Sequence, residues 1–272
     1  MIIAEALNKS APLSLERRRL VEYLTQQNYA YLLAHANDSL SEAQTSLFHQ
    51  LLQRLHLGEP LAYVIGEQEF YGLSFKVNPA VLIPRADTEL LIDTAVPLLN
   101  SLSHPRCLDL GTGSGAIAIT LCALCPHIEM TAVDVSIDAL AVAQDNASRL
   151  LKERVTQLSW LHSDWYNNVS GHYDIIVSNP PYIAEGDTHL TEDGLPFEPQ
   201  LALTSPWRGT QALQHIITEA PRFLTRPGYL LVEHGYDQEN PVHALMKEAG
   251  FNHIKTYQDL NRLPRLTSGI LR

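Results

Sequence analysis

Residues 106–115 read RCLDLGTGSG, and residues 116–125 continue as AIAITLCALC. The short apolar run before the glycines predicts a β-strand, and the longer apolar run after them predicts a buried helix. Glycines between a strand and a helix let the backbone turn tightly and approach a ligand closely. The spacing is G-x-G-x-G, which differs from the G-x-G-x-x-G of nicotinamide-binding domains. The stretch therefore predicts a strand, a ligand loop and a helix of an α/β domain.

The alternation of strand, loop and helix continues through the following residues. Helical patterns recur at residues 137–151, 211–224 and 243–250. Alternating strands and helices predict a parallel sheet with helices on both faces, which is the Rossmann-like arrangement. Further strands are predicted within residues 129–136, 155–165, 174–178, 228–235, 254–260 and 265–272.

The residues before this domain follow a helical pattern. Ser39, with Glu42 three residues later, predicts a capping box, and the helix that it opens is expected to stop at Gly58. Around Gly72, aromatic and branched residues alternate with polar ones, which predicts a β-hairpin. The predicted organisation is a helical domain over residues 1–66, a β-hairpin linker over 67–84 and the α/β domain over 85–272.

The charge balance limits the classes of partner. The 272 residues include 19 basic and 30 acidic residues, which give a formal net charge of -11. Contacts from Lys and Arg to phosphates supply much of the affinity for nucleic acid, so no direct nucleic-acid binding is expected. The dense basic run Arg17–Arg19 is interpreted as the solvated face of a helix. No apolar run reaches the roughly 18 residues that span a bilayer, so no membrane partner is expected either.

Three cysteines, Cys107, Cys122 and Cys125, form no disulfide framework. This usage favours a reducing, cytoplasmic location. Cys122 and Cys125 make a lone C-x-x-C inside an apolar run, without the second pair of ligands that a metal site needs. They are therefore expected to pack inside a helix, and no metal site is predicted.

Two acids and a tryptophan follow the second and third strands of the α/β domain. Asp134, roughly 20 residues beyond the glycines, can accept hydrogen bonds from two ribose hydroxyl groups. The alternative is a helix cap, although Ser136 could cap that helix equally well. Asp164 can accept from an adenine amine and Trp165 can pack on the ring, but a surface acid beside an interface tryptophan is an equal alternative. Together these residues imply an adenosine-containing cofactor, either NAD or S-adenosylmethionine.

The motif Asn179-Pro180-Pro181-Tyr182 follows the apolar strand DIIVS. Proline has no N–H group, so the carbonyl groups of this loop are not expected to join a local ladder. With the Asn179 side-chain oxygen they offer two acceptors for the two N–H groups of a planar NH₂. Tyr182 can supply a flat face for that group. A nicotinamide dehydrogenase has no use for this arrangement, and the alternative is a simple proline-rich turn.

The sequence resembles the HemK/PrmC family, which are protein-(glutamine-N5) methyltransferases of peptide-chain release factors. The N-P-P-Y loop is similar to that of class I methyltransferases acting on amide or exocyclic amino nitrogens. The resemblance implies a Rossmann-like seven-stranded S-adenosylmethionine-dependent methyltransferase domain, with a helical N-terminal domain and a hairpin linker. It rests on residues 60–89, 108–119, 134–147, 174–183 and 197–203.

The resemblance also implies roles for individual residues. Asn179, Pro180 and Tyr182 are the implied catalytic residues, and with Pro181 they bind the substrate glutamine. No role is assigned to residues 204–213, where the chain departs from the family pattern. The cofactor is S-adenosyl-L-methionine, with S-adenosyl-L-homocysteine as product, and its implied contacts are Gly111, Thr112, Gly113, Ser114, Gly115, Asp134, Trp165 and Asn179.

Three other functions remain open at this stage. A glutamine methyltransferase of a ribosomal protein would use the same chemistry on another partner. An adenine-N6 methyltransferase of nucleic acid would also present two hydrogens on a planar amine, but base flipping needs a basic surface. The third alternative is a binding module without catalysis, which the intact Asn179 and glycine loop disfavour.

Overall fold

A computed structural model of the chain describes residues 1–8, 10–192 and 194–272. The chain divides into two compact units. The first comprises Met1–Glu67 with Thr191–Phe197, and the second comprises Gln68–Leu190 with Glu198–Arg272.

In its described residues, the first unit contains five α-helices around a small apolar core that includes Leu20, Phe48 and Leu52. Asn28 begins the third helix, where its side chain accepts a hydrogen bond from the Tyr31 N–H group. The helices are α1 (Ile3–Leu7), α2 (Ser14–Thr25), α3 (Tyr29–Ala34), α4 (Glu42–His56) and α5 (Leu61–Ile65).

The predicted cap at Ser39 is wrong, because α4 is capped by Ser41. The Ser41 hydroxyl group accepts from the Gln44 N–H group at 3.1 Å, and the Ser41 N–H group donates to Gln44 Oε1 at 3.0 Å. Ser39 instead forms an antiparallel bridge with Ile2. The backbone of Ser39 is therefore engaged in strand-like pairing, and the capping box lies two residues further along the chain.

The predicted hairpin is present, and all of it except Glu67 belongs to the second unit. Strands β1 (Glu67–Phe70) and β2 (Leu73–Lys76) pair with each other. Tyr71 and Gly72 connect them with φ angles of 51° and 74°. Positive φ at both central residues is typical of the tight turns whose twist matches that of the two strands.

A seven-stranded sheet forms the centre of this unit. Its order is β10-β11-β9-β6-β3-β4-β5. All seven strands coincide with those predicted from the sequence. The strands are β3 (Arg106–Leu110), β4 (Glu129–Asp134), β5 (Leu158–His162), β6 (Tyr173–Ser178), β9 (Leu224–Glu233), β10 (Asn252–Gln258) and β11 (Pro264–Leu271), and a separate pair comprises β7 (Ile183–Ala184) and β8 (Thr204–Ser205).

Helices cover both faces of the sheet because its buried strands alternate the direction of their apolar side chains. Cys107 contributes to one apolar core and its neighbour Leu108 to the other. The helices are α6 (Glu89–Asn100), α7 (Ala116–Leu124), α8 (Ile137–Leu151), the short α9 (Gln200–Leu203) and α10 (Pro206–Gly209), α11 (Gln211–Glu219) and α12 (Glu239–Glu248). Helices α6, α7 and α8 pack on the Cys107 side, and α11 and α12 pack on the Leu108 side.

The prediction of a parallel sheet is wrong for β11, which runs antiparallel to both of its neighbours. Residues 259–263 alone connect β10 to β11. A parallel crossover needs a dozen or more residues, whereas an antiparallel hairpin needs only a short turn. The other strand pairs of the sheet are parallel, from β5 to β9.

All three cysteines are free and buried in one core, as predicted for Cys122 and Cys125. Among the described helices, none has both the length and the apolar character needed to cross a membrane.

Candidate active site

The candidate site lies at the edge of the sheet where the parallel strands end. Gly111 follows β3, Asp134 ends β4 and Asn179 follows β6. The Ser178 hydroxyl group donates to the Leu110 carbonyl oxygen at 2.7 Å, which joins the ends of β6 and β3. A cavity of about 820 Å³ opens here. Of the residues considered as ligand contacts from the sequence, seven line it: Gly111, Gly113, Asp134, Asp164, Trp165, Asn179 and Pro181.

The glycine loop presents its backbone to this cavity. The N–H groups of Gly111 and Thr112 both donate to the Val133 carbonyl oxygen at 2.9 Å. Gly113 has φ +56°, and no atom lies within 4 Å of the position that a Cβ atom would occupy. A ligand can therefore approach the backbone at Gly113 closely.

Three other residues of the loop hold it from beneath and do not line the cavity. The Thr112 hydroxyl group donates to Asp109 Oδ2 at 2.7 Å. The Ser114 carbonyl oxygen accepts from Asn146 Nδ2 at 3.0 Å. At Gly115, with φ +82°, a Cβ atom would lie 2.7 Å from Ile119 Cδ1. These residues are better suited to fix the shape of the loop than to contact a ligand.

Asp134 faces the cavity and also holds the loop. Its Oδ2 accepts from the Gly113 N–H group at 2.8 Å, and its Oδ1 accepts from the Ser136 N–H group at 2.9 Å. Burial raises the pKa of Asp134, although the same N–H groups lower it. The Ser136 hydroxyl group accepts from the Ala139 N–H group at 3.1 Å. Ser136 therefore caps α8, and Asp134 remains available to a ligand.

Trp165 is half-buried and lines the cavity beside the exposed Asp164. Its φ of 47° lies in the left-handed region. The ring atom Cζ3 would be 3.6 Å from a Cβ atom added to Gly111, so the indole packs beside the glycine loop. Strained backbone of this kind is concentrated at functional sites.

The N-P-P-Y loop places Asn179 with a defined orientation. Asn179 Nδ2 donates to the Thr88 hydroxyl group at 3.0 Å. Within the described part of the chain, neither Asn179 Oδ1 nor the carbonyl group of Pro180, a buried residue outside the cavity lining, has a hydrogen-bond partner. Two acceptors of the loop are thus unused.

Tyr182 is turned into the protein rather than lining the cavity. Its hydroxyl group donates to Glu233 Oε1 at 3.2 Å, and its carbonyl oxygen accepts from Gln238 Nε2 at 2.9 Å. Burial and the charge of Glu233 raise the pKa of Tyr182. The tyrosine therefore anchors the end of the loop.

Sequence reasoning missed Thr88, Glu233 and the pair formed by Arg85 and Glu198. The buried Glu198 accepts from the Ile83 N–H group at 3.0 Å and also pairs with Arg85. This joins two segments that line the cavity, residues 80–82 and 199–202. An acid directly after an apolar strand is the signal that could have identified Glu233.

The carboxyl group of Asp109, next to the glycine loop, is fully buried. Burial raises its pKa to about 7, although the Thr112 hydroxyl group lowers it. Its unfolded pKa is about 3.9. Between these values the unfolded chain loses the proton that the folded chain keeps, so stability falls as pH rises and the penalty is complete above pH 7.

Asp109→Asn removes this ionisation. Relative to the wild type, the variant should gain about 2 to 3 kcal/mol of unfolding free energy between about pH 5 and about pH 7. Urea unfolding of both proteins at the two pH values measures the difference. A difference between the two proteins that does not change with pH would contradict the raised pKa.

The fold and the site define a class I S-adenosylmethionine-dependent methyltransferase. Two family models match the chain: Methyltransferase small domain over residues 86–193 and PrmC N-terminal domain over residues 3–66. The release factor glutamine methyltransferase of Bordetella pertussis is 44% identical over 259 residues, 94% of this chain and 94% of the relative. That of Salmonella typhimurium is 42% identical, over 92% of this chain and 89% of the relative. The chain belongs to the family of release factor glutamine methyltransferases, which confirms the resemblance.

Solved structures with low identity share the fold over about three quarters of this chain. The methyltransferase domain of METTL16 has a TM-score of 0.54 and 17% identity, covering 74% of this chain and 89% of that one. The 16S rRNA N2 G1207 methyltransferase RsmC of Thermus thermophilus, in complex with AdoMet and guanosine, has a TM-score of 0.53 and 18% identity. That match covers 76% of this chain and 50% of the other. Both support the class I α/β fold.

Proposed function

We propose that this chain transfers the methyl group of S-adenosyl-L-methionine to the side-chain amide nitrogen (N5) of the glutamine in the Gly-Gly-Gln motif of peptide-chain release factors. The observation that carries the proposal is Asn179. Its Nδ2 is held by Thr88 at 3.0 Å while its Oδ1 is unused, and the residue lines a cavity with Gly113 and Asp134.

The cavity fits S-adenosyl-L-methionine. Gly113 leaves open space beside its backbone, and the Asp134 carboxylate faces the cavity with lone pairs left for ribose hydroxyl groups. Gly111, Asp134 and Trp165 would hold the nucleoside. When bound, the cofactor supplies an electrophilic methyl group on a sulfonium and leaves as S-adenosyl-L-homocysteine.

The residues of this chain address the poor reactivity of the substrate. An amide nitrogen delocalises its lone pair into the carbonyl group and attacks weakly. Asn179 Oδ1 and the Pro180 carbonyl oxygen would accept the two N–H groups and so aim the nitrogen. In the best intramolecular reactions, positioning lowers a barrier by about 7–11 kcal/mol. The same acceptors stabilise positive charge that develops on nitrogen.

No strong base is required at the start, because the nitrogen loses its proton after it has bonded to carbon. His189 and Glu185 are not assigned this role. The His189 ring is hydrogen-bonded to Asp187 at 2.7 Å in an exposed turn, and Glu185 is also exposed. Neither residue lines the cavity.

The partner is a release factor and the location is cytoplasmic. Relatives at 38 to 44% identity carry the name release factor glutamine methyltransferase. The helical domain adds contact to the release factor, and its exposed Leu15, Leu33 and Leu57 are suited to this. The net charge of -11 disfavours direct nucleic-acid binding, and three free cysteines are suited to a reducing compartment.

The test uses the purified chain, S-adenosyl-L-methionine and an unmethylated release factor. Mass spectrometry of the Gly-Gly-Gln peptide should find one added methyl group on the glutamine. A release factor with Gly-Gly-Glu in that position is the matched control and should stay unmodified. Methylation of ribosomal proteins or of adenine in nucleic acid, with the release factor unmodified, would overturn the proposal.

Asp134→Ala should weaken cofactor binding strongly, because it removes the ribose acceptor and the hydrogen bond that holds Gly113. Hydrogen bonds to charged groups contribute about 1.5–3 kcal/mol, so Kd should rise about 10- to 100-fold. Isothermal titration calorimetry with S-adenosyl-L-methionine measures it. Asp138→Ala is the control, since Asp138 is exposed and outside the cavity lining. Equal Kd values for the two variants would refute the role of Asp134.

A further inference from the structure

Glu233 is a buried acid that the transfer reaction itself does not use. It ends β9 and is 1% exposed. Ser178 of β6 pairs with Val232 of β9 in parallel register, so the next residues along, Asn179 and Glu233, are neighbours at the edge of the sheet. Glu233 Oε1 accepts from the Tyr182 hydroxyl group at 3.2 Å. Within the described residues, its buried Oε2 has no partner that meets hydrogen-bond geometry.

Thr88 lies between Glu233 and Asn179. Its side chain is 4% exposed at the start of α6, and its hydroxyl oxygen accepts from Asn179 Nδ2. Burial raises the pKa of Glu233 to about 7, and the hydroxyl groups of Thr88 and Tyr182 lower it. Both hydroxyl groups thus act on the same carboxylate.

The direction of these hydrogen bonds decides how Asn179 is oriented. A hydroxyl group has one hydrogen, and above its pKa of about 7 Glu233 is a carboxylate, which can only accept. When Thr88 donates its hydrogen to Glu233, it can offer Asn179 only an acceptor. The amide must then turn its nitrogen to Thr88 and its oxygen away from it.

We propose that Glu233 and Thr88 are positioning residues that fix the Asn179 amide with Oδ1 free to accept from the substrate. Glu233 accepts from Tyr182, its unpaired Oε2 is available to the Thr88 hydroxyl group, and Thr88 accepts from Asn179. This inference rests on the proposed function, because only a substrate with a planar NH₂ group requires an acceptor there. In the opposite amide orientation, the NH₂ group of Asn179 would face the NH₂ group of the substrate, and both groups can only donate.

Each substitution has a distinct expected effect. Thr88→Val keeps the shape but removes the acceptor, which leaves a polar group without a partner at a cost of about 1–3 kcal/mol. Glu233→Gln introduces a donor that can reverse the hydroxyl group of Thr88, and with it the amide of Asn179. Thr88→Ser retains the hydroxyl group. Thr94→Val is a matched control, because Thr94 also lies in α6 and its hydroxyl group donates only to the Leu90 carbonyl oxygen.

Kinetics of glutamine methylation test the proposal. Thr88→Val and Glu233→Gln should each lower kcat about 10- to 100-fold, which corresponds to the cost above. Cofactor Kd should change by less than about threefold, and Thr88→Ser and Thr94→Val should stay within about threefold of the wild type in kcat. Wild-type kcat in Thr88→Val, or an equal loss in Thr88→Ser, would overturn it. Thermal melts identify a variant that does not fold. If Thr88→Val does not fold, the comparison of kcat between Glu233→Gln and Thr88→Ser decides the question.

A measurement without substrate separates this inference from the proposed function. The NH₂ signals of Asn179 in a ¹⁵N–¹H spectrum are assigned by their absence in Asn179→Ala. Their hydrogen exchange should be slow in the wild type and Thr88→Ser and faster in Thr88→Val. Equal exchange in all three would overturn the inference, even where the wild type methylates the release factor. Inactivity of the wild type on the release factor, with this exchange pattern, would remove only the proposed substrate.

Discussion

Asn179→Ala will lower kcat for glutamine methylation by about 100- to 1000-fold, as expected for loss of one preorganised partner of the reacting group. The variant loses the Oδ1 acceptor and leaves the hydroxyl group of the buried Thr88 without its 3.0 Å partner. Because the acceptor matters most when charge develops on nitrogen, kcat should fall further than substrate affinity. Single-turnover methylation followed by mass spectrometry measures this loss directly.

Asn100→Ala is the control for Asn179→Ala. Asn100 is exposed at the end of α6 and does not line the cavity. It should keep the wild-type rate. A loss confined to KM in Asn179→Ala, with kcat unchanged, would show that Asn179 contributes only to uniform binding.

Gly209→Ala will destabilise the protein and disable the loop that carries Asn179. Gly209 has φ +83°, and a Cβ atom there would lie 2.0 Å from the Tyr182 carbonyl oxygen and 2.8 Å from Gln238 Nε2. Left-handed backbone costs about 1–2 kcal/mol for a residue with a side chain, and the displaced hydrogen bond costs about 1–2 kcal/mol more. The free energy of unfolding should therefore fall by about 2–4 kcal/mol in urea titrations.

The folded fraction of Gly209→Ala should also methylate poorly. The backbone of the N-P-P-Y loop must move to make room for the alanine side chain. A misplacement of about 1 Å at an active site can lower the rate about 100-fold. Gly250→Ala is the matched control, because Gly250 has φ +88° and open space around its Cβ position. It should lose only the backbone part of the stability and none of the rate. Equal losses in both variants would show that the contact with Tyr182 has no effect.

Gly209 also gives residues 204–213 a role, although the sequence alone suggested none. Trp207 and Arg208 precede it with φ angles of 54° and 59°. Gln238 donates to the carbonyl oxygens of both Tyr182 and Arg208, at 2.9 Å and 3.3 Å. The segment is therefore joined through Gln238 to the end of the N-P-P-Y loop.

Local patterns were sufficient for the strands and for the loop that follows each of them. The apolar run that contains Cys107 and Leu108 reflects burial on both faces of the sheet, and such a run is visible in the sequence. Local patterns were insufficient where two nearby residues were equally suited to cap the same helix. Ser39 and Ser41 are both good caps, and pairing of Ser39 with Ile2 selects Ser41.

The sequence by itself determined the α/β fold, the glycine loop, the acid Asp134 and the N-P-P-Y motif. Each of these depends on residues within a few positions of one another. Only the tertiary structure decided what holds the motif, because Thr88 lies 91 residues before Asn179 and Glu233 lies 51 residues after Tyr182. Parallel strands bring their ends to one edge of the sheet, and the order and register of those strands are set by packing across the whole domain. Hydrogen-bond partners at that edge are therefore defined only when the sheet has formed.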